Sequence, residues 1–406
     1  MYDTSLQHRK ERMQITFIDR QGNAVVHTPV LVEQQDHRFL FACGGFEAKE
    51  IVEARDEAAK AFYEKRYILW RRLFNTATLP FYWSQYEPAE GDTIAPVLEQ
   101  MARYFKGHSV KVKGHPLAWH TLCPSWLLEK SNEQALALLV GRIEREMSRF
   151  KGLVGMWDVI NEPVIMPNFA KGDNALTRLC NHYGRVELAK ILFQTARDVD
   201  PEAQLLINDF DTTDAYARLI AELLDAGTPI DAIGIQSHQH QGYWGDEKLD
   251  QVLERFSRFA LPLHFSENTF VSGDLMPPHI VDLNDHHTDV WPTTEEGERR
   301  QARDIECFYT RLFSHPQVEA ITTWEFGDNA WLHAPAGLVR VDNAAKPSYH
   351  TLDELVNNRW KTVMTLITDE RGRVELEGFK GSYTATVEGK RYPVDGVDST
   401  VVVGMP

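Results

Sequence analysis

Short apolar runs alternate with stretches of helical period along most of this chain. FLFACGG (39–45) leads into a helix-like segment from Glu50 to about Leu69. LFNTATLP (73–80) leads into 94–105, VKVKGHPLAWH (110–120) into 132–150, and LVGMWDVINEP (153–163) into 185–199. The alternation continues with AQLLINDF (203–210) before 214–227, AIGIQSHQH (232–240) before 248–260, PLHFSENTF (262–270) before 297–313, and AITTWEF (320–326) before 349–358. Continuous Val/Ile/Leu-rich strands between amphipathic helices predict a parallel sheet buried on both faces. Eight such units in sequence predict an α/β fold, a closed (β/α)8 TIM barrel over 37–359. A doubly wound open sheet is the alternative, but Cys43-Gly-Gly-Phe46 is a poor phosphate loop after the first strand.

The ends break the pattern. Residues 1–36 contain two strand-like runs on either side of a turn at Arg20-Gln-Gly-Asn23, which predicts a small N-terminal β-hairpin packing on the barrel. From Trp360 the period changes to short alternating runs (TVMTLIT, RVELEGF, YTATVEG, STVVVG), a C-terminal all-β module over 360–406. A module of that size is marginal alone and is expected to lean on the barrel. Its Tyr383, Phe379 and Tyr392 are expected in core or docking contacts rather than as a sugar platform.

Charge narrows the classes of partner. With 43 Lys+Arg against 59 Asp+Glu, the formal net charge is −16. That field repels phosphate backbones and anionic lipid, so neither nucleic acid nor a membrane surface is an expected partner. No apolar run is long enough to span a bilayer. The N-terminal MYDTSLQHRKERMQ lacks the apolar core of a signal peptide, which suggests a cytoplasmic protein unless a leader has been removed. Cys43, Cys123, Cys180 and Cys307 are far apart, with no CxxC pair, and read as free thiols.

Chemistry in a barrel of this kind sits at the carboxyl ends of the strands. There the sequence places Gly114-His115-Pro-Leu-Ala-Trp119-His120, Trp157-Asp-Val-Ile-Asn161-Glu162-Pro163, Asn208-Asp209, Gln236-Ser-His238-Gln-His240, His264-Phe-Ser-Glu267-Asn268, and Trp324-Glu-Phe-Gly-Asp328 with Trp331 beyond. Two carboxylates, with amides, imidazoles and indoles around them, suit cleavage of a glycosidic bond: one protonated to serve the leaving oxygen, one ionised to attack. A nearly uncharged sugar chain also agrees with the acidic surface.

These motifs together resemble glycoside hydrolase family 10, whose typical members are endo-β-1,4-xylanases, over about Arg12 to Val356. The WDVxNEP string is the specific part. The resemblance implies Glu162 as general acid/base and Glu267 as nucleophile, with retention of configuration. It implies that Asn161 holds the 2-hydroxyl and that His238 keeps the nucleophile ionised. His115, Trp119, Trp324 and Trp331 would wall the central glycone subsite, and Gln236 and Asn208 would line the cleft near the leaving group or brace the acid/base. The expected substrate is xylan or xylo-oligosaccharide, with no cofactor and no metal; oligomeric state is not implied.

The match departs from the family on the donor side. Thr78, Leu79 and Tyr82 stand where family members carry Glu, Asn and Lys, and Leu122 where a Gln is frequent. Ser266-Glu267-Asn268-Thr269 replaces Thr-Glu-Leu-Asp. Glycone recognition is therefore expected to differ, toward short, decorated or other β-linked oligosaccharides. The long segment from Val271 to about Glu296 carries Trp291, a possible aglycone platform or ordinary loop packing. It also carries His279, Asp282, Asp285, His286, His287 and Asp289, whose spacing fits no standard metal loop. Rival classes are a metal-dependent hydrolase using His238-Gln-His240, which lacks partner ligands on the first strand, and a sugar-binding protein that has lost catalysis.

Overall fold

The computed structural model describes residues 6–404; residues 1–5 and 405–406, the outermost parts of the two terminal segments, lie outside it. Two strands lead the described chain, β1 (Lys10–Ile18) and β2 (Pro29–His37). Eight parallel strands follow: β3 (Leu40–Gly44), β4 (Thr76–Pro80), β5 (Lys111–His115), β6 (Met156–Asn161), β7 (Gln204–Asp209), β8 (Ala232–Gln239), β9 (Leu263–Phe270) and β10 (Val318–Thr323). They close into a barrel in sequence order, β10 pairing back with β3. The expected barrel is therefore present.

Local chemistry sets the helices between these strands. In Asn132–Phe150, Ser131 and Gln134 form a reciprocal capping box, which satisfies backbone donors left open at the helix start. Leu139, Ile143 and Met147 then recur at four-residue spacing and are fully buried against the barrel. The helix Ala175–Tyr183 is an addition that the sequence pattern did not mark. Inside the barrel, Leu40, Met156, Leu206, Ala232 and Ala320 form an apolar plug at the amino-terminal ends of the strands. Two residues further along β6 and β7 stand Asp158 and Asn208, both fully buried. The interior thus turns from apolar to polar toward the carboxyl-terminal mouth.

The two strands that lead to the candidate glutamates each carry one extra residue. On β6, Asp158 and Ile160 pair with Leu206 and Ile207, so two steps on β6 face one on β7. On β9, His264 and Glu267 pair with Gly234 and Gln236, three steps against two on β8. Such bulges re-aim the side chains that follow them.

The terminal strands correct one expectation: β1 and β2 do not form a hairpin. The turn exists, since the Asp19 carboxylate accepts from the amides of Gln21 (2.9 Å) and Asn23 (2.8 Å). Beyond a single bridge from Ile18 to Ala24, however, the chain crosses to a different sheet. The strands β11 (Val363–Ile367), β12 (Arg373–Phe379), β13 (Gly381–Val387), β14 (Lys390–Val394) and β15 (Asp398–Val402) complete two sheets, ordered β12-β1-β15 and β11-β2-β13-β14. Met13, Ile15 and Phe17 of β1 face Val30 and Val32 of β2 across a shared core with Val374, Tyr383, Val387 and Val401. Each N-terminal strand has one apolar face. Stacking those faces buries both, whereas a lone hairpin would leave them for solvent.

This sandwich docks on the barrel floor. Trp360 stacks on Phe313 at 4.1 Å between ring centroids, and Phe379 lies in the barrel's core cluster. The Arg9 guanidinium donates to the carbonyls of Phe313 (2.8 Å), His315 (2.7 Å) and Val318 (2.6 Å), just before β10. Tyr383 and Tyr392 are buried in the sandwich and are not a sugar platform. Among the described residues no helix is long and apolar enough to cross a membrane. Replacing Arg9 with Ala strips three carbonyls of a charged donor and should cost about 3 kcal/mol of stability, read as a lowered denaturation midpoint with the catalytic rate retained.

Candidate active site

The mouth of the barrel brings together the residues that the sequence singled out. Glu267, near the end of β9, is buried, and its two oxygens have different partners. Oε1 accepts from Asn208 Nδ2 at 2.8 Å, and Oε2 lies 3.2 Å from His238 Nε2. His115 Nε2 stands 3.8 Å from Oε1. Behind His115, Asp158 Oδ2 lies 2.7 Å from its Nδ1 and 2.8 Å from Lys113 Nζ. Burial opposes a charge on Asp158, but Lys113 and His115 outweigh it and hold the carboxyl at about 2. A permanent anion there fixes the orientation of the His115 ring toward Glu267.

Glu162 follows directly on β6, with φ of 55°, a left-handed backbone uncommon for a residue with a Cβ. Its amide donates to Asn208 O at 2.8 Å, which pins that backbone. Its Oε2 accepts from Trp119 Nε1 at 2.8 Å and its Oε1 from Gln236 Nε2 at 3.2 Å. His120 Nε2 is 3.9 Å from Oε2.

A ladder of amides joins the two acids. Asn208 Nδ2 donates both to Glu267 and to Asn161 Oδ1 (2.8 Å), and Gln236 Nε2 donates both to Asn161 Oδ1 (3.1 Å) and to Glu162. The Glu267 carboxylate only accepts, which sets the direction of the Asn208 amide, and Ser266 Oγ then donates to Asn208 Oδ1 at 2.5 Å. The ladder needs close backbone approach: a Cβ on Gly234 would stand 2.3 Å from Asn208 Oδ1.

The two carboxyls are driven apart electrostatically. For Glu162, burial is the largest effect; with the nearby Asp209 and Glu267 it outweighs the Trp119 and Gln236 hydrogen bonds and raises the pKa to about 8. For Glu267 burial also acts upward, but the His115 charge, the His238 hydrogen bond and Lys113 outweigh it and leave the carboxyl below its ordinary value. Near neutrality one is an acid and the other a carboxylate, the division of labour an acid–nucleophile pair needs.

Two of the candidate wall residues pack on imidazoles of the site. Trp324 is edge-on to His115 (5.2 Å) and Trp331 packs on His238 (4.7 Å). Trp291 is buried in a satellite cluster and donates to Asp274 O, which is loop packing rather than a platform. Among the described residues no three or more His, Cys, Asp or Glu side chains converge as a metal site. Asp282 and Asp285 pair with Lys171, and His286 packs on Trp291. The His238-Gln-His240 pair is divided: His238 serves Glu267, whereas His240 sits between Trp291 and Trp331 with burial lowering its pKa to about 3. A cavity of about 860 Å³ opens at the opposite end of the barrel, lined by Arg9, Lys111 and Lys380 among others, and by none of the candidate residues.

Several residues at the site had no assigned role in the sequence. Lys113, Asp158 and Ser266 lie inside motifs whose neighbours drew attention; their every-second-residue spacing from His115 and Asn268, or from Met156, was the available signal. Asp209 holds the start of the next loop by accepting from Val164 N at 2.9 Å. Tyr82 fills the gap between His115 and Trp119, 5.7 Å from each ring. Thr269 pairs directly across the sheet with His238, and its Oγ1 is 3.1 Å from His238 Nδ1.

That last contact generates a prediction. In the neutral tautomer of His238 that donates from Nε2 to Glu267, Nδ1 accepts, and the Thr269 hydroxyl is its donor. Thr269→Val removes the donor at constant volume, so the nucleophile loses support and the acid limb of the kcat/KM profile should move to higher pH. Thr269→Ser should restore it. An acid limb unmoved in the Val variant would show that Thr269 has no positioning role. A second expectation concerns stability. With a folded pKa of about 8 against an ordinary 4.5, Glu162 destabilises the fold progressively as pH rises between those values. Glu162→Gln should therefore raise Tm at pH 8.5 and leave it nearly unchanged at pH 4.

Comparison with known proteins agrees with this geometry. The model of glycosyl hydrolase family 10 matches residues 63–355. Endo-1,4-beta-xylanase B of Paenibacillus barcinonensis is 27% identical over 271 residues, 63% of this chain and 78% of that protein. Anti-sigma-I factor RsgI6 of Acetivibrio thermocellus is 26% identical over 392 residues, 94% of this chain but 46% of that protein. Among solved structures, a family 10 structure from P. barcinonensis aligns with a TM-score of 0.64 at 21% identity, covering 79% of this chain and 96% of its own. Native xylanase 10B of Thermotoga maritima aligns with a TM-score of 0.63 at 21% identity, with the same coverage. This chain, matched by the family model over most of its length, belongs to glycosyl hydrolase family 10 and is a glycoside hydrolase.

Proposed function

We propose that this glycoside hydrolase cleaves β-1,4-linked xylan or xylo-oligosaccharides by double displacement, with retention of anomeric configuration. The observation that carries the mechanism is the buried carboxyl pair, joined by one amide ladder and held in opposite protonation states. The xylanase named above, from the same family, supports the sugar.

The chain's own residues supply each step. Glu162, protonated near neutrality, gives its proton to the leaving glycosidic oxygen while Glu267 attacks the anomeric carbon. The bond to the leaving sugar breaks as the glycosyl ester to Glu267 forms. Glu162, now ionised, takes a proton from water, which attacks the same carbon and releases Glu267. Asn161 is placed between the acids. Its Oδ1 already accepts from Asn208 and Gln236 and its Nδ2 donates to Glu162 Oε1 at 3.4 Å, so the second N–H of that amide is the donor left for a sugar hydroxyl beside the reacting carbon. On the donor side Tyr82 replaces an ammonium with a phenol between His115 and Trp119, while Thr78 and Leu79 are fully buried. Donor sugars would meet aromatic faces there rather than charge, a setting for stacking against the C–H faces of the pyranose.

The test separates the two acids. Glu267→Ala should abolish hydrolysis of every xylo-oligosaccharide, and added azide should restore turnover with a glycosyl azide of inverted configuration. Glu162→Ala should lose several orders of magnitude on natural substrates yet keep a fast first step on aryl xylosides whose leaving group needs no proton. The wild-type kcat/KM profile should be bell-shaped, with its alkaline limb near the Glu162 value of about 8. Initial release of the α-anomer would overturn the retaining mechanism.

A further inference from the structure

The segments that follow the two glutamates are tied to each other across one side of the mouth. Glu162 directly follows β6 and Glu267 lies on β9, and β7 and β8 stand between those strands. Yet Lys171 Nζ, on the segment after β6, lies 2.7 Å from Asp282 Oδ2 and 2.6 Å from Asp285 Oδ1, on the segment after β9. To make this contact the 271–294 segment passes over the end of β8. Met276 N donates to His240 O at 2.9 Å, and Gln241 Nε2 donates to the carbonyls of Pro277 (3.0 Å) and Ile280 (2.7 Å). It is a built wall with its own apolar cluster of Val271, Met276 and Trp291 against Ala334 and Ala336.

Both anchors of this crossing stand close to the reacting groups. Phe169, two residues before Lys171, packs on His120 at 4.3 Å, and His120 borders Glu162. On the other side the Trp331 ring lies between His240, under the wall, and His238, which contacts Glu267. Of the candidate donor-side walls, Tyr82, His115, Trp119 and Trp324 belong to the opposite half of the mouth, and Trp331 borders the crossing. A leaving group protonated by Glu162 therefore departs toward the β6–β9 half, beneath the crossing.

We infer that the Lys171–Asp282–Asp285 bridge is a strap over the leaving-group side that restricts cleavage to bonds with a short sugar segment beyond them. This rests on the function proposed above and specifies where in the chain the cut falls. A long polysaccharide would have to thread beneath the strap or open it, whereas an oligosaccharide with a short reducing end fits as it is. The three side chains are about half exposed, and exposed pairs are weak and screened by salt. The strap is therefore breakable, and its opening should be visible.

The experiment uses xylohexaose labelled at its reducing end, together with polymeric xylan. At low salt the wild type should place the label in a short fragment and prefer oligosaccharide to polymer. Lys171→Met should move cuts toward the interior and raise the polymer-to-oligosaccharide rate ratio by about fivefold, a modest factor in keeping with an exposed ion pair. Its rate on a small aryl xyloside should be unchanged. High salt should shift the wild type toward the variant's pattern and leave the variant unaffected. The same label pattern and rate ratio in wild type and variant, at both salt levels, would overturn the strap. Absence of any xylo-oligosaccharide hydrolysis by the wild type would overturn the proposed function instead, so the two failures are distinguishable.

Discussion

Two carboxyl groups cannot both keep their charge when buried side by side unless something stabilises one of them. Here a chain of fixed polar groups does so selectively. Glu267 receives an amide donor, an imidazole and the distant charge of Lys113, relayed in orientation through Asp158 and His115. Glu162 receives three neutral donors, from Trp119, Gln236 and Asn161, with Asp209 acting against its ionisation. The asymmetry lies in what surrounds each group, since the two residues are chemically identical. The rest of the barrel serves to hold that asymmetry in place.

The architecture divides this work between its two ends. The amino-terminal floor is apolar inside and is covered outside by the sandwich, which the Arg9 guanidinium and the Trp360 stack fasten to the barrel. The carboxyl-terminal mouth is polar and depends on buried hydrogen bonds that tolerate little displacement. Separating the two lets the floor carry stability while the mouth carries strain, including the left-handed backbone of Glu162. The bulges on β6 and β9 belong to the same economy of space. Each adds one residue ahead of a glutamate, directly before Glu267 on β9 and two residues upstream of Glu162 on β6.

Family membership does not by itself fix how much sugar the site accepts on either side. On the donor side Tyr82 places an aromatic ring between His115 and Trp119. On the other side the wall formed by 271–294 meets the segment after Glu162. Tyr82 stands where family members carry Lys, the wall lies beyond the motifs shared with the family, and neither belongs to the reacting pair.

The sequence by itself determined the eight strand–helix units, their parallel order and the polar residues at the strand ends. All of these follow from local periodicity and from the rule that places a barrel's chemistry at one end. The WDVINEP string located Glu162 for the same reason, since its residues are adjacent in the chain. Only the tertiary structure decided the rest. β1 and β2 pair with strands more than three hundred residues away because their apolar faces find cover there, and no local pattern records which distant surface remains open. The one-residue bulges, the alignment of Thr269 with His238 and the reach of Lys171 to Asp282 and Asp285 are matters of register and loop path. The opposed pKa values of Glu162 and Glu267 arise from burial and neighbours assembled from separate strands, so they exist only once the barrel has closed.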